Sequence, residues 1–393
     1  MRNTLLHLKR FTLAFILIIG LTYSLSAKQA EAFKISHGPY LQEVTTDGVS
    51  FIFTTSLPAF SCIELRKQGE TQTKKYRHTE YGLHDAYNVF HSIRGKGLEP
   101  GTTYEYRILT KEIREFNPYK IVYGDSITSQ WYSFQTTDPK GKGGSLFIVS
   151  DTHNDAKKLE TLLNLCDYKT CDVFLYAGDL MNYMENDETP FEAFIDTSVR
   201  LFATSIPFEM VRGNHETRGK LARTYPKLFP KTTNKIFGSR LVGDIMIVMI
   251  DCGEDKPDTA PVYAGLNDFD NYRTEQTEWL KGLVRTKEFK NAKYRIVISH
   301  FPMVTSLDKG RDTDHGISDL AAKMLPVLNK ANIDLMISGH THRYAFFETG
   351  SGGNHFPVIV GSNQSATRLD IQDGKIKAKV VDKDGKILLD TQF

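Results

Sequence analysis

Two hydrophobic rhythms divide the chain. From Phe33 to about Asp138 apolar and polar residues alternate in short runs. Val49, Phe51 and Phe53 interleave with Ser50, Ile52 and Thr54, and Tyr104, Tyr106 and Ile108 interleave with Glu105 and Arg107. Bounded by Gly, Pro, Asp and Ser, such runs predict an N-terminal antiparallel β-sandwich over residues 33–138. Residues 139–145 hold Gly, Pro and Lys but no apolar side chain, the composition of a linker. After it the apolar positions become continuous, at Leu146–Val149, Val173–Ala177, Phe208–Val211, Ile245–Ile250, Tyr294–Ile298, Ile333–Ile337 and Pro357–Val360. Continuous runs of this length predict strands buried on both faces.

Helical spacing separates several of these runs. Leu159, Leu162, Leu163 and Cys166 fall at i, i+3, i+4 and i+7. Thr189-Pro190-Phe191-Glu192 reads as a capping box that opens a helix. Ser318 reads as the cap of another helix, which Pro326 must kink or end. Asp373-Gly374 and Asp384-Gly385 predict hairpin turns near the C-terminus. Residues 146–393 are therefore expected to form an α/β domain with mixed β-sheets flanked by helices.

The first 32 residues belong to neither rhythm. Arg2, His7, Lys9 and Arg10 precede an apolar run from Phe11 to Leu25, and small residues follow at Ser26, Ala27, Ala30 and Ala32. The run is shorter than a bilayer-spanning helix needs. This is the pattern of a cleaved signal peptide, with cleavage after Ala27 or Ala32. It predicts export to a periplasmic or extracellular space and no stable membrane span afterwards. The 393 residues carry a net charge of +2, and the three cations Arg2, Lys9 and Arg10 leave the rest near −1. A near-neutral body argues against a nucleic-acid partner. The four cysteines are too few for a disulfide scaffold. Cys166 and Cys171 are close enough to close a small loop, and buried free thiols are the equal alternative.

Five of the continuous runs end in residues that carry chemistry. They are Asp151-Thr152-His153, Gly178-Asp179, Gly213-Asn214-His215-Glu216, Ser299-His300 and Gly339-His340-Thr341-His342. Of the 12 histidines, five lie in these motifs. Sites in open α/β sheets form beyond the carboxyl ends of strands, so these residues are expected to converge. Imidazole and carboxylate together suit Fe, Mn or Zn, whereas Ca and Mg sites are built from oxygen. Asp151, His153, Asp179, Asn214, His300, His340 and His342 exceed the needs of one ion. They suffice for two if one carboxylate bridges. Two ions roughly 3.5–4 Å apart can hold a hydroxide between them and clamp the entering and leaving oxygens of a phosphoryl group.

In this order the motifs resemble the calcineurin-like metallophosphoesterase superfamily over roughly residues 146–385. The segment Leu98-Glu99-Pro100-Gly101-Thr102-Thr103-Tyr104 is similar to a turn and strand of fibronectin type III domains, and such a domain in front resembles the purple acid phosphatases. The resemblance implies that Asp151, His153 and His342 hold one metal, that Asn214, His300 and His340 hold the second, and that Asp179 bridges. It makes His215, with Asp179 and Asn214, part of the catalytic set, as a non-ligand that contacts the phosphate and assists the leaving group. Glu216 is read as orienting that imidazole, with plain surface exposure as the alternative. One position departs from the pattern. Purple acid phosphatases carry a metal-binding Tyr three residues after the bridging Asp, where this chain has Asn182, followed by Tyr183.

The expected activity is hydrolysis of small phosphate monoesters by a metal-bridging hydroxide, without a covalent intermediate. A phosphodiesterase or nucleotidase on the same site is the alternative. A non-catalytic exported binding protein with a vestigial metal site is the rival from another class, and a metal-dependent amidase or lactonase a third. The stretches Gly253–Tyr272, with Tyr263, Asn267, Asp268 and Phe269, and Ser306–Gly316, with Arg311 and His315, lie between motif-bearing segments and read as exposed loops, with walls of the pocket as the alternative.

Overall fold

A computed structural model describes residues 32–165, 167–231, 233–304 and 314–393. The leader, Arg311 and the Cys166–Cys171 pairing lie outside the described residues, whereas Cys62 and Cys252 are buried.

The N-terminal part is one seven-stranded antiparallel sheet folded into a sandwich. Its organising element is the 20-residue strand Gly48–Lys67. The first half of that strand pairs with Ile35–Gln42 and Asn88–Lys96, and the second half with Lys74–Tyr76 and Thr103–Asn117. Phe51 and Phe53 from one half meet Ile63 and Leu65 from the other, together with Tyr106 and Ile108 of the strand Thr103–Asn117, in a common core.

The alternation around Phe51 predicts a polar outer face, and this is only partly so. Ser50, Ile52 and Thr54 are buried as well. Ile52 and Tyr40 join a cluster containing Phe194, Phe208 and Phe229 of the second part of the chain. That face is covered by protein instead of water. Polar bonds seal the contact: Tyr40 donates to the Leu228 carbonyl (2.9 Å), Gln42 to the Phe208 carbonyl (2.9 Å) and Tyr106 to the Thr204 carbonyl (2.8 Å).

The second part stacks two six-stranded mixed sheets face to face. In the first, the parallel strands Phe208–Met210, Val173–Tyr176 and Gly144–Val149 continue into antiparallel Ser365–Gln372, Lys375–Asp382 and Ile387–Gln392. In the second, Ile245–Ile250, Tyr294–Ser299, Leu335–Ser338 and Val358–Val360 are parallel, with antiparallel Gly238–Val242 and Ala345–Phe347 at the edges. The continuous runs are buried on both faces, as expected. Leu146, Ile148, Ile245, Ile247, Ile296 and Ile298 fill the space between the sheets. Phe147 and Val149 point to the outer layer of helices Ala156–Leu163 and 191–203. Val248 and Ile250 point to the helices Phe269–Leu283 and His315–Leu328.

Helix boundaries differ in detail from the sequence pattern. The helix near Thr189 begins where expected, but Asn186 caps it, its Oδ1 accepting from the Glu188 and Thr189 N–H groups. Ser318 lies inside the helix His315–Leu328, not at its start. Pro326 falls in that helix's last turn and ends it two residues later. Asp373 and Gly374 form a two-residue turn with φ of 52° and 82°, and Gly385 turns the last hairpin at φ 82°.

His91 gives the sandwich a pH dependence. It is buried against Phe53, and its Nε2 lies 3.1 Å from Thr55 Oγ1. Burial pushes its pKa down to about 4. The neutral ring is the folded form, so this contribution is complete above the unfolded value near 6.5 and is lost as pH falls toward 4. Across that window the expected loss is on the order of 3 kcal/mol. Thermal unfolding of wild type and His91→Gln between pH 7 and 4 checks it, the variant showing a flatter acid slope.

Candidate metal centre

The carboxyl ends of the parallel strands in both sheets meet along one seam, and the loops that leave them interlock. The Asp151 N–H donates to the Gly178 carbonyl (3.0 Å), the His153 N–H to Asp179 (3.1 Å) and the Gly339 N–H to His300 (3.0 Å). The His340 N–H lies 3.1 Å from both Asp151 oxygens, and the His215 N–H donates to Asp179 Oδ1 (3.0 Å). Each carboxylate is therefore held by backbone from a distant loop.

These connections aim the side chains inward. Asp179 Oδ2 faces His300 Nε2 at 3.1 Å, and His153 Nε2 and His215 Nε2 at 3.9 Å each. Asp151 Oδ1 faces His342 Nε2 at 3.4 Å, and the Nε2 atoms of His342 and His153 are 3.0 Å apart. Three clusters of ligand atoms result: Asp151, His153 and His342; His153, Asp179 and His215; and Asp179, His300 and His340. Asn214 is buried beside them, its Oδ1 without a hydrogen-bond partner. All seven candidate ligands thus gather at one place.

The backbone is bent to achieve this. Asp151, His153, Asp179, His340 and His342 all have φ between 51° and 73°, the left-handed region that non-glycine residues rarely occupy. Each costs on the order of 1–3 kcal/mol that the surrounding packing must offset. Two motif glycines serve a different purpose. A Cβ on Gly213 would sit 2.2 Å from Asp179 Oδ1, and one on Gly339 would sit 2.4 Å from Asp151 Oδ2.

Burial and charge oppose each other at the centre. Burial alone would raise the Asp179 pKa, but His300 beside it and His215 hold it well below the usual carboxylate range. Burial likewise lowers His300, and Asp179 outweighs it, lifting the imidazole to about 10. His340, buried and next to His300, is pushed down to about 4. The His300 Nδ1 bonds the Ala177 carbonyl at 2.8 Å, which leaves Nε2, buried and without a hydrogen-bond partner, directed at the carboxylate. Without its Nε2 proton the ring presents a lone pair toward the anion, next to the orphaned Asn214 oxygen, so a cation that displaces that proton fits between them.

One expectation needs correction. Glu216 is neither exposed nor in contact with the His215 ring. It is fully buried, and its carboxylate accepts from the N–H groups of Asp179 (2.9 Å), Met181 (3.0 Å) and Gly213 (2.8 Å). Burial, then the charge of Asp179, pushes its pKa up to about 7. The His215 ring is oriented by the Asn182 carbonyl, 2.9 Å from Nδ1. His315 pairs with Asp270 (2.8 Å), and most of the stretch before it, residues 305–313, lies outside the described residues. Tyr183 is half exposed and stacks on the His215 ring, with centroids 5.7 Å apart.

The sequence model of the calcineurin-like phosphoesterase family matches residues 144–344, just over half of the chain. A curated relative, "Probable purple acid phosphatase 20" of Arabidopsis thaliana, is 22% identical over 286 residues, covering 66% of this chain and 62% of that protein. The chain thus spans less than two thirds of that relative's length. Among solved structures, purple acid phosphatase PPD1 from yellow lupin (Lupinus luteus) seeds superposes with a TM-score of 0.67 at 13% identity, covering 90% of this chain and 73% of that one. PhoD superposes with a TM-score of 0.60 at 12% identity, covering 91% and 94%. At these identities the two structures speak for the fold.

Glu216 is expected to hold the centre's loops together. Glu216→Ala leaves three buried N–H groups unpaired and should destabilise the protein by roughly 3 kcal/mol or more, with Glu216→Gln intermediate. Denaturant midpoints measure the effect, and equal stability of the Ala variant would contradict it.

Proposed function

We infer that this chain, which belongs to the calcineurin-like phosphoesterase family, is a metal-dependent hydrolase of small phosphate monoesters. The observation that carries the reading is the gathering of seven donor side chains from five strand ends, the buried carboxylates Asp151 and Asp179 among them. Asp151, His153 and His342 would hold one cation and Asn214, His300 and His340 the other, with Asp179 shared between them. Fe, Mn and Zn suit this donor set. When bound, two such cations supply Lewis acidity, lowering the pKa of an attacking water and offsetting charge on the phosphoryl oxygens.

The chain's own residues do the rest. Asp179 is fixed by the His215 N–H on one oxygen, so its other oxygen is free to face the imidazoles. His215 is anchored through Nδ1 and presents Nε2 to the centre, 3.9 Å from Asp179 Oδ2, where it meets the oxygen of the departing alcohol. Glu216 and Gly213 keep the loop tight enough for this approach.

Export through residues 1–32, a sandwich domain over 33–138 and a catalytic domain over 146–393 complete the proposal, placing the enzyme in a periplasmic or extracellular space. Among the described residues no helix is long and apolar enough to cross a membrane.

Metal analysis combined with a chromogenic phosphomonoester assay tests the reading. His215→Ala should lower kcat by about 10²–10⁴-fold with unchanged metal content, and Asp179→Asn should lose metal and activity together. A metal-loaded protein inactive on phosphomonoesters would refute it. Asn182 holds the position of the phenolate ligand, its Nδ2 3.4 Å from the His153 carbonyl, while Tyr183 lies against His215. The iron-loaded protein should therefore show no intense phenolate-to-iron band in its visible spectrum.

A further inference from the structure

Arg218 is a cation in contact with the proposed leaving-group residue, and no motif in the sequence marked it. It follows His215 by three residues, at the end of the short turn His215–Thr217. Its guanidinium is clamped on one side. Nε lies 3.0 and 3.3 Å from the two oxygens of Glu254, and Nη2 lies 2.8 Å from Glu254 Oε2 and 3.2 Å from Asp255 Oδ1. The clamp is itself held. The Tyr263 hydroxyl donates to Glu254 (2.9 Å) and lies 3.2 Å from Asp255, and the Thr217 hydroxyl donates to Glu254 (2.6 Å). Glu254 is buried. The stretch after the strand Ile245–Ile250 thus grips an arginine beside the site.

The remaining nitrogen, Nη1, lies 3.3 Å from His215 Nε2. The side chain keeps 24% of its surface exposed. A guanidinium fixed through Nε and Nη2, with Nη1 turned toward a solvent-reachable centre, is pre-organised to bind an anion. Its charge is not swamped by the clamp: Lys256 also pairs with Asp255 (2.9 Å), so two carboxylates meet two cations.

We propose that Arg218 is a substrate-binding residue that holds the departing side of the substrate through Nη1, and that it favours leaving groups carrying an anionic oxygen next to the scissile bond, phosphoanhydrides above neutral alkyl or aryl esters. The inference rests on the hydrolase reading and deepens it. Any oxygen that reaches His215 Nε2 comes beside Nη1. In a neutral ester only the bridging oxygen arrives there. In an anhydride the departing phosphate brings a second, charged oxygen. Water forms the new bond to the terminal phosphorus, the bridging P–O bond breaks, and its electron pair leaves on the departing phosphate. The proton of the water passes to solvent or product. Such a group departs as an anion, so a fixed cation serves it better than an acid.

The test uses the full-length metal-loaded protein, inorganic pyrophosphate and p-nitrophenyl phosphate as substrates, and calorimetric binding of methylenediphosphonate, an anhydride analogue that is not hydrolysed. Arg218→Lys keeps a cation on Glu254 but cannot span from Glu254 to His215. Arg218→Met removes the charge, and the Lys variant is decisive if the Met variant does not fold. In both, kcat/KM for pyrophosphate should fall by about 10–100-fold and methylenediphosphonate affinity in the same proportion. The p-nitrophenyl phosphate reaction, whose bridging oxygen also passes beside Nη1, should fall by a smaller factor, so that the pyrophosphate-to-ester ratio of kcat/KM drops, with metal content unchanged. Equal losses on both substrates, or unaltered methylenediphosphonate affinity, would overturn the assignment. A protein that hydrolyses neither substrate would refute the hydrolase reading, whereas an active hydrolase whose Arg218 variants bind the analogue as tightly as wild type would refute this assignment alone.

Discussion

Two carboxylates buried at the seam between two sheets constrain everything around them. Asp151 and Asp179 are almost wholly inaccessible to water, and each disfavours the ionisation of the other. Burying like charges at one place is costly unless positive partners and hydrogen bonds surround them. The chain supplies both. Backbone N–H groups of His215 and His340 reach in from other loops, and imidazoles of His300 and His342 face the remaining oxygens. Four of the five strand-end histidines, both acids and Asn214 make up the donor set proposed for a pair of cations, with His215 proposed for the substrate.

The same constraint explains where strain and sequence restriction concentrate. To turn side chains back over the strand ends, the loops adopt left-handed backbone at both acids and three of the histidines. Glycine precedes the acid, the asparagine or the histidine in three motifs because the loops pass too close for a Cβ. Glu216 then ties two of these loops together by accepting three N–H groups. A surface glutamate has no such task. Its burial follows from standing one residue beyond an imidazole that must face the centre.

The strand ends and their ligands were legible because both depend on local pattern. Continuous apolar runs mark strands with two covered faces, and a polar motif after each marks the carboxyl end. What escaped depends on contacts between distant segments. Ile52 sits in an alternating run whose outer face is covered only after the two parts of the chain dock. Asn186 caps a helix in place of Thr189 because its side chain reaches two consecutive N–H groups. Arg218 gains its role from Glu254, 36 residues further on and in the other sheet's loops, and no spacing rule joins them. Cues existed for Arg218 and Tyr263: one shares a turn with His215, and the other lies in a polar stretch between motifs.

The N-terminal sandwich carries no cluster of chemistry, yet its contacts make it more than a spacer. His37 lies 3.0 Å from Asp196 and 2.9 Å from Glu188, stacked on Phe191, at the start of the helical stretch 191–203. Tyr106 bonds the Thr204 carbonyl at its end. That stretch is wound as a π-helix at Phe191–Ile195 and Val199–Ala203, a geometry that is rarely stable without support. Its Ser198 lies 2.6 Å from the Tyr176 hydroxyl, and Tyr176 closes the strand Val173–Tyr176 three residues before Asp179. A continuous line of packed groups thus runs from the sandwich to the carboxylate at the middle of the centre. Fixing a non-standard helix at both ends keeps the strand beneath Asp179 from shifting. In a site where imidazole and carboxylate are 3.1 Å apart, that steadiness is a functional requirement.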